Sequence, residues 1–241
     1  MEVFVGTSGW SYGWNRGGNL DWYLKNSRLN AVELNASFYR FPYKNQIAGW
    51  ARKGAELRWC VKVHRFITHQ HKFNETARGV WQRFLDLFSP LDPSIDYYLF
   101  QAPPSMTNTE KFLRFFDGLP LLEKCVLEIR NRNLISDDAI CRKLQDCLPV
   151  VSVDSPDTKN RIFSSNLIYM RMHGREDWYR HDYMQEELEE TAGLIRTTGA
   201  EKVYLFFNND NSMLENAQRM MDLFRSKGGG LSPGHDTDNT V

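Results

Sequence analysis

The chain has 241 residues, a formal net charge of zero at pH 7 and an aromatic content of 13%. This length suffices to bury a large core, and an α/β barrel commonly forms a single domain of about 250 residues. Because the charge is balanced, no overall field attracts polyanions, and nucleic-acid binding would need a local basic patch. The composition therefore favours a globular fold over a generally basic nucleic-acid-binding protein.

Cysteine spacing and hydropathy indicate the compartment. The four cysteines form no CxxC pair, and the N-terminal MEVFVGTSGW lacks a basic start followed by an apolar run. No apolar segment approaches the roughly 20 residues that cross a bilayer. We therefore expect a reduced, cytoplasmic protein with no membrane partner.

Eight stretches have the character of strands, and most are separated by stretches with helical periodicity. The predicted strands are Met1–Val5, Asn30–Asn35, Leu57–His64, Tyr97–Gln101, Cys125–Arg130, Val150–Asp154, Leu167–His173 and Lys202–Asn209. The predicted helices are Asp21–Lys25, Gln46–Lys53, Thr76–Leu87, Thr109–Leu122, Asp137–Cys147, Glu186–Thr197 and Met213–Ser226.

Eight strand and helix units predict a parallel sheet that closes into a (β/α)8 TIM barrel, as one domain over residues 1–226. The sixth crossover, SPDTKNRIFSS, is short, so its helix should be short or missing. A doubly wound open sheet is the alternative, but it would not explain why every strand ends in polar residues. Residues 227–241 are Gly-rich and aperiodic, and we expect a disordered tail.

Polar side chains at the strand ends predict a site at one mouth of the barrel. Alternation puts Glu128 and Arg130 on one side of their strand, and it does the same for Arg171 and His173. Apolar helices cover the outer face and would penalise unpaired charges there, so these side chains should face the lumen. The converging residues are Ser8, Trp10, Glu33, Asn35, Lys62, His64, Gln101, Glu128, Arg130, Asp154, Arg171, His173, Asn208 and Asn209.

These charges have two interpretations. They can form a buried ion-pair network that only fills the barrel, or they can form a ligand site. The set as a whole favours a ligand site, because so many charges at the end where barrel sites form are hard to justify by stability alone. Arg171, Asn208 and Asn209 follow the last two strands, the usual phosphate position in barrels, which points to an anionic ligand.

A divalent metal is an alternative cofactor, although no metal ligand can be assigned with a compact motif. Glu128, Asp154 and His173 lie on successive strands, and carboxylate and imidazole suit Mn, Mg or Zn. His69 and His71 can bind metal or phosphate, but a solvated basic loop is the simpler interpretation.

Other motifs are weaker or missing. Trp178, Tyr179 and Tyr183 follow the seventh strand and are compatible with a lid, a stacking surface or ordinary packing. The chain has no G-x-S-x-G, Walker-type or G-x-G-x-x-G sequence, which argues against serine hydrolases and nucleotide-binding folds.

Eight motifs resemble the YecE-like family, known as domain of unknown function 72. They are GTSGWSY, VELNASFYRFP, WCVKVHRFITH, LFQAPPS, LEIRNRN, VDSP, YMRMHGR and YLFFNND, spread from Gly6 to Asp210. The resemblance implies a TIM barrel whose reaction is not established, and a relation to the divalent-metal barrels of the endonuclease IV and xylose isomerase group has been considered for it. Its motifs fall here on Glu33, Asn35, Tyr39, Lys62, Gln101, Glu128, Arg130, Asp154, Arg171, His173 and Asn208. Where the family often has an aromatic residue after the fifth-strand motif, this chain has Asn133 and Leu134.

Three functions follow as hypotheses. The first is a metal-independent enzyme, of hydrolase or lyase/isomerase type, that acts on a small phosphorylated or carboxylated ligand. The second is a metal-assisted phosphodiesterase or nucleic-acid-processing enzyme, with residues 62–72 contacting phosphates. The third is a non-catalytic anion-binding module. The expected catalytic residues are Glu33, Lys62, Glu128, Asp154 and His173. The expected ligand-binding residues are Trp10, Asn35, Tyr39, Gln101, Arg130, Arg171, Asn208 and Asn209.

One electrostatic expectation concerns His173. If Glu128 and Asp154 both face it, the two carboxylates should raise its pKa above about 6.5.

Overall fold

Short runs rich in β-branched and aromatic residues form the central sheet. The structure is a computed structural model, and it describes residues 1–226. Its strands are β1 (Glu2–Thr7), β2 (Ala31–Leu34), β3 (Arg58–Lys62), β4 (Ile95–Ala102), β5 (Cys125–Ile129), β6 (Ser152–Ser155), β7 (Thr158–Arg161), β8 (Leu167–Met172) and β9 (Lys202–Phe207). Its α-helices are α1 (Leu20–Asn26), α2 (Ala36–Tyr39), α3 (Lys44–Lys53), α4 (Glu75–Phe88), α5 (Thr109–Phe116), α6 (Arg132–Ser136), α7 (Asp138–Gln145), α8 (Gln185–Thr197) and α9 (Met213–Ser226).

The strands form one curled sheet in the order β5-β4-β3-β2-β1-β9-β8-β6-β7. All neighbours are parallel except β6 and β7, which pair antiparallel. Parallel strands need crossover connections, and the helices between most of them supply these connections and cover the outer face. This order is the neighbour order of the predicted eight-stranded barrel, with β7 added at the edge.

The structure does not show the closed barrel that the sequence predicts, because no complete ladder of hydrogen bonds joins β5 to β6. Between β5 and the segment before β6, the backbone contact is one isolated parallel bridge, from Leu127 to Val150. Leu127 N–H donates to the carbonyl of Pro149, and Val151 N–H donates to the carbonyl of Leu127, each at 2.9 Å. The structure therefore shows a curled, mostly parallel half-barrel, because β6 begins two residues after the bridge and runs along β8 instead of β5.

The sixth crossover is confirmed to lack a helix. The segment after β6 turns back at once and forms β7, which pairs through Val153 with Arg161 and through Ser155 with Thr158. Ser155 stabilises the turn, since its hydroxyl accepts from Thr158 N–H at 3.2 Å. A hairpin thus replaces the helix that the other crossovers use.

Helices α4 and α5 pack aromatic faces on the sheet. Asn74 and Asn108 cap them, and the side-chain oxygens accept from the N–H groups of Ala77 and Lys111. α5 ends at Phe116 rather than at the predicted Leu122, because the chain then turns through residues with positive φ, Gly118 at 63° and Leu121 at 58°.

Two expectations concern the C-terminal tail and membrane-spanning segments. The predicted disordered tail, residues 227–241, lies outside the described residues. Within residues 1–226, no helix is long and apolar enough to span a bilayer.

Candidate functional site

A buried arginine joins three strands at the centre of the curled sheet. Arg171 on β8 places Nη1 2.7 Å from Glu128 Oε2 on β5, and Nη2 2.7 Å from Glu33 Oε1 on β2. All three side chains are fully buried. Alternation along β8 aims Arg171 inward, and the curl brings β2 and β5 within its reach. The pairs Glu33–Arg171 and Glu128–Arg171 confirm that these predicted residues face one interior.

Neutral donors complete the hydrogen bonding of the two carboxylates. Ser8 Oγ donates to Glu33 Oε1 at 2.8 Å, and the hydroxyl of Tyr169 donates to Glu33 Oε2 at 2.7 Å. Gln101 Nε2 donates to Glu128 Oε2 at 2.7 Å. Burial alone would raise the pKa of Glu128, but Arg130, Arg171 and His173 hold it well below its usual range. Glu128 is therefore a buried carboxylate that stays ionised.

His173 lies against Glu128 and Asn208, as its strand position predicts. Its Nε2 is 3.1 Å from Glu128 Oε1, and Asn208 Nδ2 is 3.3 Å from its Nδ1. Arg130 Nη2 lies 2.9 Å from the same Nε2 and opposes a second positive charge.

The expected rise in the pKa of His173 is wrong. Burial and then the charge of Arg130 lower this pKa well below 6.5. The hydrogen bond to Glu128 acts in the opposite direction but does not prevail. The expectation failed because Asp154 does not face the ring and because complete burial outweighs one carboxylate.

Lys62 is a buried cation without a carboxylate partner. It ends β3 with 6% of its surface exposed, and its side chain forms no hydrogen bond or ion pair with any residue in 1–226. Its Nζ lies 4.3 Å from the centroid of the Phe38 ring, a cation–π contact. Burial and the charge of Arg171 lower the pKa of Lys62 to about 7, although Glu128 and Glu33 oppose this.

The loop after β3 is ordered and turns a histidine toward Lys62. Residues Phe66–Gln70 form one π-helical turn, a feature frequent at functional sites. His69 is partly buried, its Nδ1 lies 2.8 Å from Thr68 Oγ1, and burial and then Lys62 lower its pKa to about 4. His69 is therefore half-buried within this largely exposed loop, and its ring packs edge-on against Phe38 at 5.0 Å.

Asp154 does not join Glu128 and His173. Its Oδ1 accepts from Asn160 N–H at 2.7 Å, and its Oδ2 accepts from Arg175 Nε at 3.0 Å. The antiparallel β7 supplies Asn160 and so draws the carboxylate toward the sheet edge. No group of three His, Cys, Asp or Glu side chains in residues 1–226 has a metal-binding arrangement. The residues present do not fit the predicted Glu128, Asp154 and His173 metal set.

The loop after β8 covers one side of the mouth. Trp178 stacks on Arg130, with the guanidinium carbon 4.8 Å from the ring, and lies 5.5 Å from the His173 ring. Tyr179 has a φ of 68°, uncommon for a residue with a side chain. Asn209 ties the loop down, since its Nδ2 donates to the carbonyl of His181 at 2.8 Å, while its buried Oδ1 has no partner in residues 1–226.

Two cavities open near the site. The first, about 530 Å³, contains three predicted residues, Trp10, Asn35 and Tyr39, together with Ser8. Asn35 Oδ1 is buried and has no partner in residues 1–226. The second, about 620 Å³, lies over the gap between β5 and β6 and is lined by Arg130 and Trp178 among others.

Two contributors were not expected as site residues. Tyr169 lies two residues before Arg171, so the alternation that predicted Arg171 could also have found it. Arg175 lies one residue past Gly174, where the strand pattern stops. Its ion pairs with Asp154 and Glu190, at 3.0 and 2.6 Å, depend on the path of the loop and leave no signal in the pattern.

Comparisons with known proteins place the chain. The family described as "Protein of unknown function DUF72" matches residues 4–239. A DUF72 family protein of Thermotoga maritima MSB8 is 20% identical, with 93% of this chain and 100% of that chain covered and a TM-score of 0.77. One from Enterococcus faecalis V583 is 21% identical, with 99% of each chain covered and a TM-score of 0.73.

More distant structures share only the fold. A D-psicose 3-epimerase, solved in the presence of D-fructose, is 11% identical, with 95% of this chain and 100% of that chain covered and a TM-score of 0.57. A comparison with curated proteins finds no match. By the family match over nearly its whole length, this chain belongs to the DUF72 family of proteins of unknown function.

Proposed function

We propose that this protein is an enzyme that binds a small phosphorylated or carboxylated ligand at the carboxyl-terminal mouth of the sheet. The observation that carries the proposal is the ammonium group of Lys62, which is buried without a carboxylate partner. An unpaired buried charge is unfavourable, so the group either loses its proton or gains an anion. A site that presents such a group is prepared for an anionic ligand.

The charges around Lys62 support this assignment. Glu33 and Glu128 carry two negative charges, and Arg171 and Arg130 carry two positive charges within contact distance of them. That group is neutral without Lys62, so a protonated Lys62 adds one uncompensated positive charge. A bound phosphate or carboxylate would compensate it.

The roles differ from those assigned by sequence alone. Arg171 is saturated by Glu33 and Glu128, and we assign it to holding these carboxylates in place. Arg130 keeps 13% of its side chain exposed and is ion-paired to Glu128, with its Nε 2.7 Å from Glu128 Oε1. Its Nη2 contacts His173, whereas its Nη1 forms no hydrogen bond within residues 1–226, and we assign this nitrogen of Arg130 as the second anion-binding donor.

Lys62 also supplies a group suited to proton transfer. General acid–base catalysis works best when the pKa of the group lies near the working pH, and that of Lys62 is about 7. Hydrolase, lyase and isomerase reactions all need such a transfer. Neutral His173, held by the Glu128 carboxylate, is the second candidate base.

We also propose that the sheet closes into a barrel. The isolated bridge from Leu127 to Val150 supports closure, since it already joins β5 to the segment before β6.

The metal-assisted alternative gains no support from the donor arrangement, because Asp154 pairs with Arg175. A non-catalytic module would bind the same anions without turnover.

Calorimetric titration with inorganic phosphate tests the proposal. The wild-type protein should bind phosphate, and Lys62→Met should weaken binding at least tenfold, the loss expected for a charge-assisted contact. Lys25→Met, which removes an exposed lysine of α1, is the matched control and should bind like the wild type. Equal affinity of the wild type and Lys62→Met would refute the anion site.

A further inference from the structure

We propose that the cavity lined by Asn35, at the end of the strand next to the one that carries Lys62, binds the hydroxylated, sugar-like remainder of the same ligand, with Asn35 as its main polar contact. This inference rests on the proposed anion site, and it extends that site from an anion to a substrate class, a phosphorylated or carboxylated sugar or polyol.

Asn35 has hydrogen-bonding capacity that the protein does not use. Its Oδ1 is buried without a partner, and its Nδ2 forms no hydrogen bond within residues 1–226. It precedes α2 but does not cap it, since no side-chain cap hydrogen bond forms there. A buried amide oxygen without a partner is unfavourable, so a ligand donor is the natural occupant.

Strand register places Asn35 beside the anion site. The pairing of β2 with β3 matches Leu34 to Val61, so Asn35, the first residue after β2, follows directly beside Lys62, the last residue of β3. Neighbouring strands are about 4.8 Å apart. The Ser37 hydroxyl fixes this junction, because it donates to the carbonyls of Leu34 and Lys62 at 2.8 and 2.6 Å. A ligand that extends from the cavity over the end of β3 would pass from Asn35 to Lys62.

The lining of the cavity fits hydroxyl groups. Its volume of about 530 Å³ lies within the range of ligand pockets. The side chain of Asn45 forms no hydrogen bond within residues 1–226. The side chain of Gln46 uses only its Oε1, which accepts from Tyr43 N–H at 3.0 Å. Free amides both donate and accept, as hydroxyl groups do, so they match a polyol better than an apolar group.

The aromatic walls favour a sugar over a stacked planar ring. Trp10 contacts Trp50 and Trp59 edge-to-face, at 5.6 and 5.7 Å, and Trp50 stacks on Trp59, so this cluster packs on itself, while Tyr39 at the rim stays 66% exposed. The remaining aromatic surface suits aliphatic C–H groups. At the rim, Lys53 Nζ and Asp21 Oδ2 form an ion pair at 2.5 Å. Neither residue therefore needs a second charged group on the ligand as its partner.

Calorimetry with a set of phosphate monoesters tests the proposal. Methyl phosphate has no hydroxyl groups on its alkyl part and measures the anion site alone. Ribose 5-phosphate, glucose 6-phosphate and fructose 6-phosphate add hydroxyl groups, and phenyl phosphate adds a planar ring. At least one sugar phosphate should bind about tenfold tighter than methyl phosphate.

Asn35→Ala should remove most of the affinity that a sugar phosphate gains over methyl phosphate, and it should leave the affinity for methyl phosphate itself unchanged. Asn26→Ala, an exposed asparagine at the end of α1, is the control and should keep the full gain. Because the Asn35 side chain has no hydrogen-bond partner, its loss should not reduce the melting temperature, and thermal melting checks that the variant folds.

The possible results separate the two proposals. If methyl phosphate binds equally to the wild type and Lys62→Met, the anion site itself is refuted. If methyl phosphate depends on Lys62 but no sugar phosphate binds tighter, or the gain survives Asn35→Ala, the sugar subsite is refuted alone. Tighter binding of phenyl phosphate than of every sugar phosphate would also overturn the hydroxylated class.

Discussion

Replacing Lys62 with methionine should stabilise the protein, an unusual result for a buried position. Methionine keeps the length of the side chain and removes the charge, and the lost cation–π contact with Phe38 is worth about 1–2 kcal/mol. A buried ammonium without a carboxylate partner is unfavourable by more than this amount. Proteins often have lower stability than they could reach because residues needed for function are retained at unfavourable positions.

The lowered pKa of Lys62 sets the size of this stabilisation and its dependence on pH. Its ordinary value is 10.5 and its folded value about 7, a difference of about 3.5 pKa units, or ~5 kcal/mol at ~1.4 kcal/mol each. Between these values the folded protein binds fewer protons than the unfolded chain, so wild-type stability rises with pH through this window. Below pH 7 the penalty is complete. From pH 6.5 to 9.5 the recovery should be ~3 kcal/mol.

Urea unfolding at pH 6.5, 8.0 and 9.5 under reducing conditions measures this effect. The stability advantage of Lys62→Met should be largest at pH 6.5 and should shrink by ~3 kcal/mol at pH 9.5, since other titrating groups cancel in the difference. Lys25→Met should show a difference near zero at all three pH values. A constant difference between wild type and Lys62→Met would show an ordinary pKa and would refute the buried, unpaired state of Lys62.

Three further predictions concern its neighbours. Arg171→Met should destabilise the fold by ~3–5 kcal/mol in urea unfolding, because it leaves the buried Glu33 without its cation and Glu128 with Arg130 alone; a mere loss of phosphate affinity with unchanged stability would contradict this. The His173 ring should stay neutral in NMR titration as the pH falls below its ordinary pKa of about 6.5, so that stability falls there because the unfolded ring takes up a proton; an imidazolium signal that grows in around that ordinary pKa would show that Glu128 prevails over burial. Trp178→Ala should weaken phosphate binding about threefold to tenfold without unfolding, because the ring orients Arg130; unchanged affinity in calorimetry would remove Arg130 from the site.

The periodicity of the sequence predicted the sheet and its neighbour order. Alternation placed Glu33, Glu128 and Arg171 on one interior face, and the structure brings their charged atoms within 2.7 Å. Strand identity follows from local pattern, so these residues could be found without knowing how the chain closes. The motifs of the DUF72 family pointed to the same residues.

Contacts that depend on irregular backbone could not be predicted. Asp154 was grouped with Glu128 and His173 from strand order, but β7 forms from a segment without strand-like alternation and takes the carboxylate to Asn160 and Arg175. His69 lies in a π-helical turn that no apolar period marks. The incomplete ladder between β5 and β6 has the same origin, since a local hairpin competes with a long-range pairing.

Sequence could identify charged residues but not which of them lack partners. Arg171 and Lys62 both lie near strand ends, and the position of Arg171 after the seventh strand made it the expected anion-binding residue. The structure gives Arg171 two carboxylates and Lys62 none. That difference depends on burial and on side-chain reach across the interior, which only the three-dimensional arrangement contains.

Proton uptake on anion binding tests the central claim most directly. Inorganic sulfate does not titrate near neutral pH, so calorimetry at pH 8.0 in two buffers of different ionisation enthalpy measures protons taken up by the protein alone. With the pKa of Lys62 at about 7, most of its amines are neutral before binding, and charging by the anion should take up about 0.9 proton per sulfate. Lys62→Met should take up none. Sulfate binding without proton uptake, or equal uptake by Lys62→Met, would contradict an anion site built around Lys62.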